Sequence, residues 1–454
     1  MATFELTRDY INGLRTLIEE KNEQVLKDKI KELHPADIAE IYESLSLDEA
    51  KFLYLLLDED VAADVLIELE EDKRVNFLKS LPAKIIARRF ISKMESDDAA
   101  DVIAEIEMEK QKEILSYLDD ISIAGDIVDL LSYKENSAGG LMAKELIKVR
   151  ESWSIITCLR SMRRQAQEVD EVYFVYVVDD NDVLKGTISL KKMLLNPTTT
   201  TVMDMYNPDV ISVGVDVDSE EVANIMNKYD LVVLPVVDSL DRLVGRITID
   251  DVMDVMREEA EKDYQLASGI THDVGASDNV WRLTRARIPW LMIGLVGGLF
   301  GSRIIGLFEG DIAAFPQMAF FMPLIAAMGG NVGIQSSAIM VQSIASGNLG
   351  LDSNIRMLLK ELSVAFLNAG VLALLAFGYN FAIGSGIALT LTVASAMFSV
   401  VLFASLFGSF LPLIFHKVNI DPAVATGPFI TTLNDISGMF VYLMLASYYF
   451  SVFI

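Results

Sequence analysis

The sequence has very few residues of the kinds that build disulfides, zinc sites or nucleic-acid interfaces. Its 454 residues include one cysteine, Cys158, which excludes a disulfide framework within the chain. The three histidines, His34, His272 and His416, lie far apart and so do not indicate a histidine-based zinc site. Acidic residues outnumber basic ones by 65 to 38, which argues against a surface that binds nucleic acid.

Catalytic and targeting motifs are also missing. We find no nucleophile–base–acid constellation, phosphate-binding loop or zinc motif, so we expect the protein not to be an enzyme. The first ten residues, MATFELTRDY, lack the basic-then-apolar order of a signal peptide.

Charge is distributed very unevenly along the chain. Residues 1–270 hold 31 Lys and Arg against 57 Asp and Glu, whereas residues 281–454 hold seven against six. The whole chain nevertheless has a mean hydropathy of +0.36. These figures predict an acidic soluble part followed by a nearly uncharged membrane part.

The membrane part contains enough apolar residues for five bilayer-spanning helices of about 20 residues or more. We predict these spans at residues 287–308, 315–345, 359–382, 387–415 and 424–452. Basic residues gather in alternate connections, before the first span and after the second and fourth. This asymmetry predicts a cytosolic N-terminus and an extracytoplasmic C-terminus.

Residues 1–135 have the apolar spacing of helices and contain a weak internal repeat. The sequence AADVLIEL at 62–69 returns as AADVIAEI at 99–106, 37 residues later. A repeat of this length is typical of stacked helix pairs, so we predict an acidic, solenoid-like helical N-domain. The simplest interpretation of its acidic residues is a solvated face.

Residues 136–250 contain a second repeat, of 59 residues. Val178, Asp182 and Gly186 align with Val237, Asp241 and Gly245, in the order strand, acidic turn, strand, helix. Two such units of type β-α-β-β-α resemble tandem CBS domains. Residues 251–275 then read as an acidic connecting helix, either a moving link or a charged spacer, before a transmembrane domain at 276–454.

Four motifs give the whole chain a more specific resemblance. They are NSAGGLM at 136–142, RIPWL at 287–291, PLIAAMGGNVGIQSS at 323–337 and DPAVATGPFITTLNDISG at 421–438. Together they resemble the MgtE family of magnesium transporters and channels. The resemblance implies a multidomain fold, in which an α N-domain and α/β CBS domains are followed by a plug helix and five membrane helices. It also implies a homodimer in the membrane of a prokaryotic cell.

Asp435 is the acidic residue of the last predicted span, about 17 Å into it at 1.5 Å per residue. A charge at such depth costs about 2.5–3.5 kcal/mol and normally faces a partner or a water-filled path. The alternative to a pore is a salt bridge with Arg303 of the first span. The resemblance implies that Asp435 lines the pore, with two copies per dimer. Oxygen-bearing neighbours that could hold a hydrated Mg²⁺ with it are Asn331, Gln335, Thr431 and Asn434.

The resemblance also implies a function for the cytosolic acids. Mg²⁺ would be imported through the pore, and high cytosolic Mg²⁺ would bridge these acids and close it. The matching positions are Glu95, Asp97, Asp98, Gly140, Glu220, Asp230, Asp251, Asp254, Glu259 and Asp263. One departure is Lys262, which stands where the family often has an acid and which predicts a weaker bridge at the connecting helix.

Several alternatives remain open from the sequence. A CBS-regulated carrier for Mn²⁺, Co²⁺ or an anion, and a sensor that conducts nothing, are the competing hypotheses. ATP is a further candidate ligand, because CBS units that bind adenosine often have Ser/Thr-x-x-Asp. Thr248 and Asp251 fit that pattern in the second unit, whereas Ser189 is followed by Lys192 in the first.

Overall fold

The computed structural model describes residues 6–167, 169, 172–197, 200–271, 274–275, 278–345 and 351–453, with only the backbone described at 351–354. The chain forms two compact units, Met1–Met256 and Arg257–Ile454. The four segment boundaries given by the sequence stay predictions.

The first part of unit one is all helical. Its ten helices are α1 (Arg8–Glu19), α2 (Glu23–Ile30), α3 (Pro35–Glu43), α4 (Leu47–Leu56), α5 (Glu59–Ile67), α6 (Glu71–Lys79), α7 (Ala83–Arg89), α8 (Ser96–Ala104), α9 (Met108–Ser116) and α10 (Ile121–Leu130). Helices α5 and α6 recur as α8 and α9 with a constant offset of 37 residues at both ends. The sequence repeat is therefore a structural repeat, and alanines 62 and 99 occupy equivalent buried positions.

Two small mixed sheets follow, one from each CBS-like unit. The elements are β1 (Ile147–Arg150), α11 (Ile155–Gln165), β2 (Val175–Val178), β3 (Leu184–Ile188) and α12 (Leu190–Leu195), then β4 (Val213–Gly214), α13 (Ser219–Lys228), β5 (Val233–Val237), β6 (Leu243–Thr248) and α14 (Ile249–Ala267). In each sheet the middle strand pairs parallel to the first and antiparallel to the third. The predicted β-α-β-β-α order is confirmed in both units.

The acidic turns between the strands form a contact between the two CBS-like units. Asp179 and Asp238 each accept hydrogen bonds from two backbone N–H groups that follow them, which closes the turn. Asp182 and Asp241 both have positive φ, 63° and 58°, a conformation that aspartate tolerates better than most residues. Their carbonyls accept hydrogen bonds from strand β6 and strand β3 of the opposite unit, so the aligned residues build a symmetric junction.

Unit two contains the five predicted membrane helices. They lie within α15 (Val280–Leu307), α17 (Met322–Ala345), α18 (Leu351–Ala382), α19 (Ile387–Lys417) and α20 (Gly427–Phe453), with the short α16 (Glu309–Ala314) after the first. All five are long and apolar enough to cross a bilayer. Several begin before the apolar stretch does, because polar residues continue the helix outside it.

Helices α17, α18 and α20 pack around α19, and α15 packs against α20. The buried residues Val393, Val400 and Val401 of α19 form a core with Ile325 of α17 and Tyr442 of α20. The Tyr442 hydroxyl donates a 2.8 Å hydrogen bond to the backbone carbonyl of Met318, which satisfies the buried polar group. This core fixes α17 and α20 side by side, and these two helices carry the predicted pore residues.

Candidate cation sites

Three carboxylates meet at the N-terminus of α8. Ligand oxygens of Glu95, Asp97 and Glu145 all lie within 4.8 Å of one another. Glu95 precedes the helix and Asp97 lies in its first turn, where acidic side chains complement the helix dipole. Asp97 is only 8% exposed. An oxygen-only group of this kind suits a hard divalent cation.

Glu145 reaches this cluster from the segment before β1. Its carboxylate accepts hydrogen bonds from the Ser96 amide at 3.2 Å and the Ser96 hydroxyl at 2.7 Å. The Ser96 hydroxyl in turn accepts a 2.8 Å hydrogen bond from the Lys144 amide. Ser96 therefore holds the glutamate against the start of α8, where it completes the group of three acids.

Arg246 of β6 contributes a positive charge to the same cluster. It is 4% exposed, and its guanidinium donates hydrogen bonds to Glu95 at 2.9 and 3.1 Å. The guanidinium also lies over the ring of Tyr173, 5.8 Å from the centroid. Glu95 therefore lies close both to the buried guanidinium of Arg246 and to the carboxylates of Asp97 and Glu145.

The remaining acids of the cluster are strongly perturbed. Burial, with the charges of neighbouring carboxylates, raises the pKa of Asp98 to about 7 and that of Asp97 well above its usual range. Burial also raises the pKa of Asp251, although Thr248 donates hydrogen bonds to its carboxylate from the amide and the hydroxyl at 3.0 and 2.6 Å. The charges of Glu95 and Asp251 act on both Asp97 and Asp98. Four residues predicted from the sequence therefore converge here.

The other predicted cytosolic positions lie in different surroundings. Gly140 occupies a tight turn, where a Cβ would lie 2.5 Å from the Lys134 carbonyl oxygen, so only glycine fits. Glu220, Asp230 and Asp254 are exposed, and Asp263 is half-buried. Glu259 pairs with Lys262 at 3.0 Å. The lysine that departs from the family pattern therefore engages a predicted metal ligand.

The predicted pore residues lie along facing stretches of α17 and α20. A Cβ on Gly330 would lie 3.1 Å from Thr431 Cγ2 and 3.7 Å from Asp435 Oδ1, so the glycine faces these two side chains. Asp435 and Thr431 are half-buried, while Asn331 and Gln335 are exposed. Within the described residues Asp435 forms no ion pair, and Arg303, its alternative partner, is exposed and unpaired. The proposed salt bridge between them is not formed.

Asn434 differs from its neighbours. It is 1% exposed, and neither of its amide atoms has a hydrogen-bond partner among the described residues. A Cβ on Gly333 would lie only 1.9 Å from the Nδ2 atom of Asn434. The Asn434 side chain is packed against α17. Its assignment to the pore stays a prediction.

Two acidic residues of these sites were not singled out from the sequence. Glu145 has no distinguishing motif. Glu361 of α18 accepts a 2.8 Å hydrogen bond from Ser336 of α17, which lies 2.8 Å from the Ser405 hydroxyl of α19. The position of Glu361 near the end of an apolar stretch is a sequence signal that could have identified it. No local pattern identifies its partners Ser336 and Ser405.

A small cavity of about 10 Å³, enough for about one water molecule, lies beside Arg246, and the candidate nucleotide residues Thr248 and Asp251 are not among the described residues that line it. Tyr173, Tyr176 and Arg246 line it, and the buried Tyr176 hydroxyl has no hydrogen-bond partner among the described residues. Pockets for drug-sized ligands have about 300–1,000 Å³, so a nucleotide would require side chains to move. In the first unit Lys192 donates to the Met205 carbonyl at 3.3 Å, in the position of the ribose-binding acid.

Family models match three parts of the chain. A divalent cation transporter model, MgtE, matches residues 322–445, and the MgtE intracellular N domain matches 33–136. CBS domain models match residues 138–196 and 202–258. The matched regions cover both candidate sites.

Full-length relatives and solved structures agree with these models. The chain is 33% identical to the magnesium transporter MgtE of Thermus thermophilus over 96% of its length and 97% of the relative's. It is 29% identical to the magnesium transporter MgtE of Bacillus subtilis, with 92% of each chain covered. The cytosolic domain of the Mg²⁺ channel MgtE in complex with ATP is 34% identical, with a TM-score of 0.51 over 54% of this chain and 99% of that one.

Proposed function

Because this chain belongs to the MgtE family, we propose that it imports Mg²⁺ across a prokaryotic cell membrane through a pore lined by Asp435. It is a multi-pass membrane protein with five apolar helices. The full-length relatives that share its architecture are magnesium transporters. The N-terminus would be cytosolic and the C-terminus extracytoplasmic, as the distribution of basic residues predicts.

The observation that carries the transport proposal is the setting of Asp435. Its carboxylate lies on α20 near Thr431 and faces Gly330 of α17. It has no ion-pair partner among the described residues. A membrane carboxylate in this setting requires water or a cation nearby. In a homodimer two such carboxylates would face one axis, and the exposed Asn331 and Gln335 would lie on the same side.

Gating would depend on the cluster at the start of α8. When its acids are ionised they repel one another, and a divalent cation held by Glu95, Asp97 and Glu145 would relieve that repulsion. The N-domain and the CBS units would then stay together, and the pore would be closed when cytosolic Mg²⁺ is high. When Mg²⁺ falls, repulsion would separate them and move the connecting helix.

ATP would act as a second cytosolic ligand. The solved relative with bound ATP supports this proposal, as does the unpaired Tyr176 hydroxyl in the CBS cleft. Thr248 and Asp251 would form the one competent half-site. The small cavity implies that ATP binding is coupled to a rearrangement of Tyr173 and Arg246.

Flux into proteoliposomes tests the transport proposal. Asp435→Ala and Asp435→Asn should both abolish Mg²⁺ uptake, whereas Glu309→Gln, at an exposed acid after the first span, should retain it. Size-exclusion profiles check that the variants fold and keep their oligomeric state. Unchanged uptake in Asp435→Ala would remove this residue from the pore. If Mn²⁺ or Co²⁺ competed for uptake more strongly than Mg²⁺ does, the result would favour the hypothesis that the protein carries another divalent cation.

A further inference from the structure

Two glycines lie at a very close contact between the end of the connecting helix and the start of the last membrane helix. A Cβ on Gly427, the first residue of α20, would lie 2.4 Å from the Ala267 carbonyl oxygen. A Cβ on Gly269 would lie 2.7 Å from Cγ of Pro428. Both distances are too short for any side chain, so the two helix ends touch through backbone and the proline ring.

The end of α14 has a defined geometry at this contact. Gly269 has φ +78°, and the amides of Gly269 and Ile270 donate to the carbonyls of Leu266 and Gln265. This is the glycine-terminated helix end in which a left-handed residue satisfies the last carbonyls. Gly269 is therefore required twice, once for its φ and once for the space taken by Pro428.

The segment after α14 is tied to the first membrane helix as well. Both the amide and the hydroxyl of Thr271 donate to the Ala286 carbonyl, at 3.0 and 2.6 Å. The side chain of Gln265 forms hydrogen bonds with the backbone of Val274, 3.3 Å in each direction. These bonds stiffen the turn, so a displacement of the end of α14 is passed on rather than absorbed.

We propose that Ala267, Gly269, Gly427 and Pro428 form a joint through which the connecting helix positions the pore helix. Gly427 and Pro428 begin the helix that carries Thr431 and Asp435 one and two turns further on. Because the contact is backbone against backbone, α20 follows any shift of the end of α14. The four residues are positioning residues for transport, and the proposal rests on the gating proposed above.

Two variants interrupt the joint in opposite ways. Gly427→Ala inserts a methyl group against the Ala267 carbonyl and separates the helices. Pro428→Ala removes the ring that packs on Gly269 and keeps α20 intact, since the first turn of a helix does not need a proline. Gly294→Ala and Gly298→Ala are matched controls, because a Cβ at either position meets no atom within 4 Å.

The experiment compares Mg²⁺ flux at micromolar and millimolar Mg²⁺ in full-length protein, alongside Mg²⁺-dependent protease protection of residues 90–130. We expect the ratio of the two fluxes to collapse towards one in both joint variants, while protection by Mg²⁺ and the control glycines behave as in the wild type. A wild-type flux ratio in Pro428→Ala would overturn the joint, even if Gly427→Ala lost all flux through misfolding. Absence of any Mg²⁺ dependence in the wild type would instead reject the gating proposal.

Discussion

The guanidinium of Arg246 lies 2.9 Å from the carboxylate of Glu95, although the two residues are 151 positions apart. Glu95 begins α8 in the N-domain, and Arg246 belongs to the last strand of the second CBS unit. A buried positive charge thus stands among the carboxylates at the start of α8. It neutralises part of their repulsion before a metal ion binds.

Removing this charge should make the protein depend more strongly on Mg²⁺. We expect Arg246→Gln to destabilise the metal-free protein by about 1–3 kcal/mol, because a partly buried carboxylate loses its partner. Thermal unfolding with EDTA and with Mg²⁺ measures this, and Mg²⁺ should raise the midpoint more in the variant. Arg88→Gln is the control, since its ion pair with Asp119 is largely exposed. Equal midpoints in EDTA would contradict the prediction.

The pH dependence of the metal-free protein should run opposite to ordinary acid denaturation. The pKa values of Asp97, Asp98 and Asp251 are all raised by burial, that of Asp98 to about 7. Such groups bind a proton more tightly in the folded state, so their stabilising effect is complete at low pH and lost as pH rises through the folded pKa. We expect stability in EDTA to increase as pH falls from about 8 to about 5.

Differential scanning fluorimetry across that range checks this expectation. Asp98→Asn should flatten the profile, because the amide cannot lose a proton. Excess Mg²⁺ at pH 8 should raise stability to the level seen near pH 5. A monotonic loss of stability below pH 8 in EDTA would show that these carboxyls do not control the contact.

Glu145 should be a cation ligand rather than only a cap for α8. Glu145→Gln retains an oxygen that can accept the Ser96 hydrogen bonds but loses the charge. We therefore expect a several-fold weaker affinity for Mg²⁺ by calorimetry, with little change in metal-free stability. Glu113→Gln, at an exposed acid on α9, provides the matched loss of charge. An affinity equal to that of this control would leave Glu145 with a structural role alone.

The close packing of α17 against α20 should tolerate no side chain at residue 333. A methyl group on Gly333 would collide with Asn434 at 1.9 Å, so Gly333→Ala should separate the helices beside Asp435. Overpacking of this kind costs about 1–3 kcal/mol. We expect a lower unfolding temperature and reduced Mg²⁺ flux, whereas Gly301→Ala, where a Cβ meets nothing within 4 Å, should be unaffected. Normal flux in Gly333→Ala would show that the helices can move apart freely.

Local sequence patterns were sufficient for most of the fold. The repeat at residues 62–69 and 99–106 became two helices with the same offset, and the aligned Asp182 and Asp241 adopt the same left-handed turn. These features depend on interactions between near neighbours, which the sequence records directly. The candidate sites were less predictable. Glu145 lies 49 residues from Ser96, and no motif connects them.

The sequence by itself determined that the chain has five apolar helices, two repeated cytosolic modules and a single acid in the last apolar stretch, because hydrophobic period and residue spacing are local properties. Only the tertiary structure decided that Arg246 and Glu145 join the cluster at α8, and that Gly427 meets Ala267. Such contacts depend on how separate elements pack, and packing brings together residues that are unrelated in sequence.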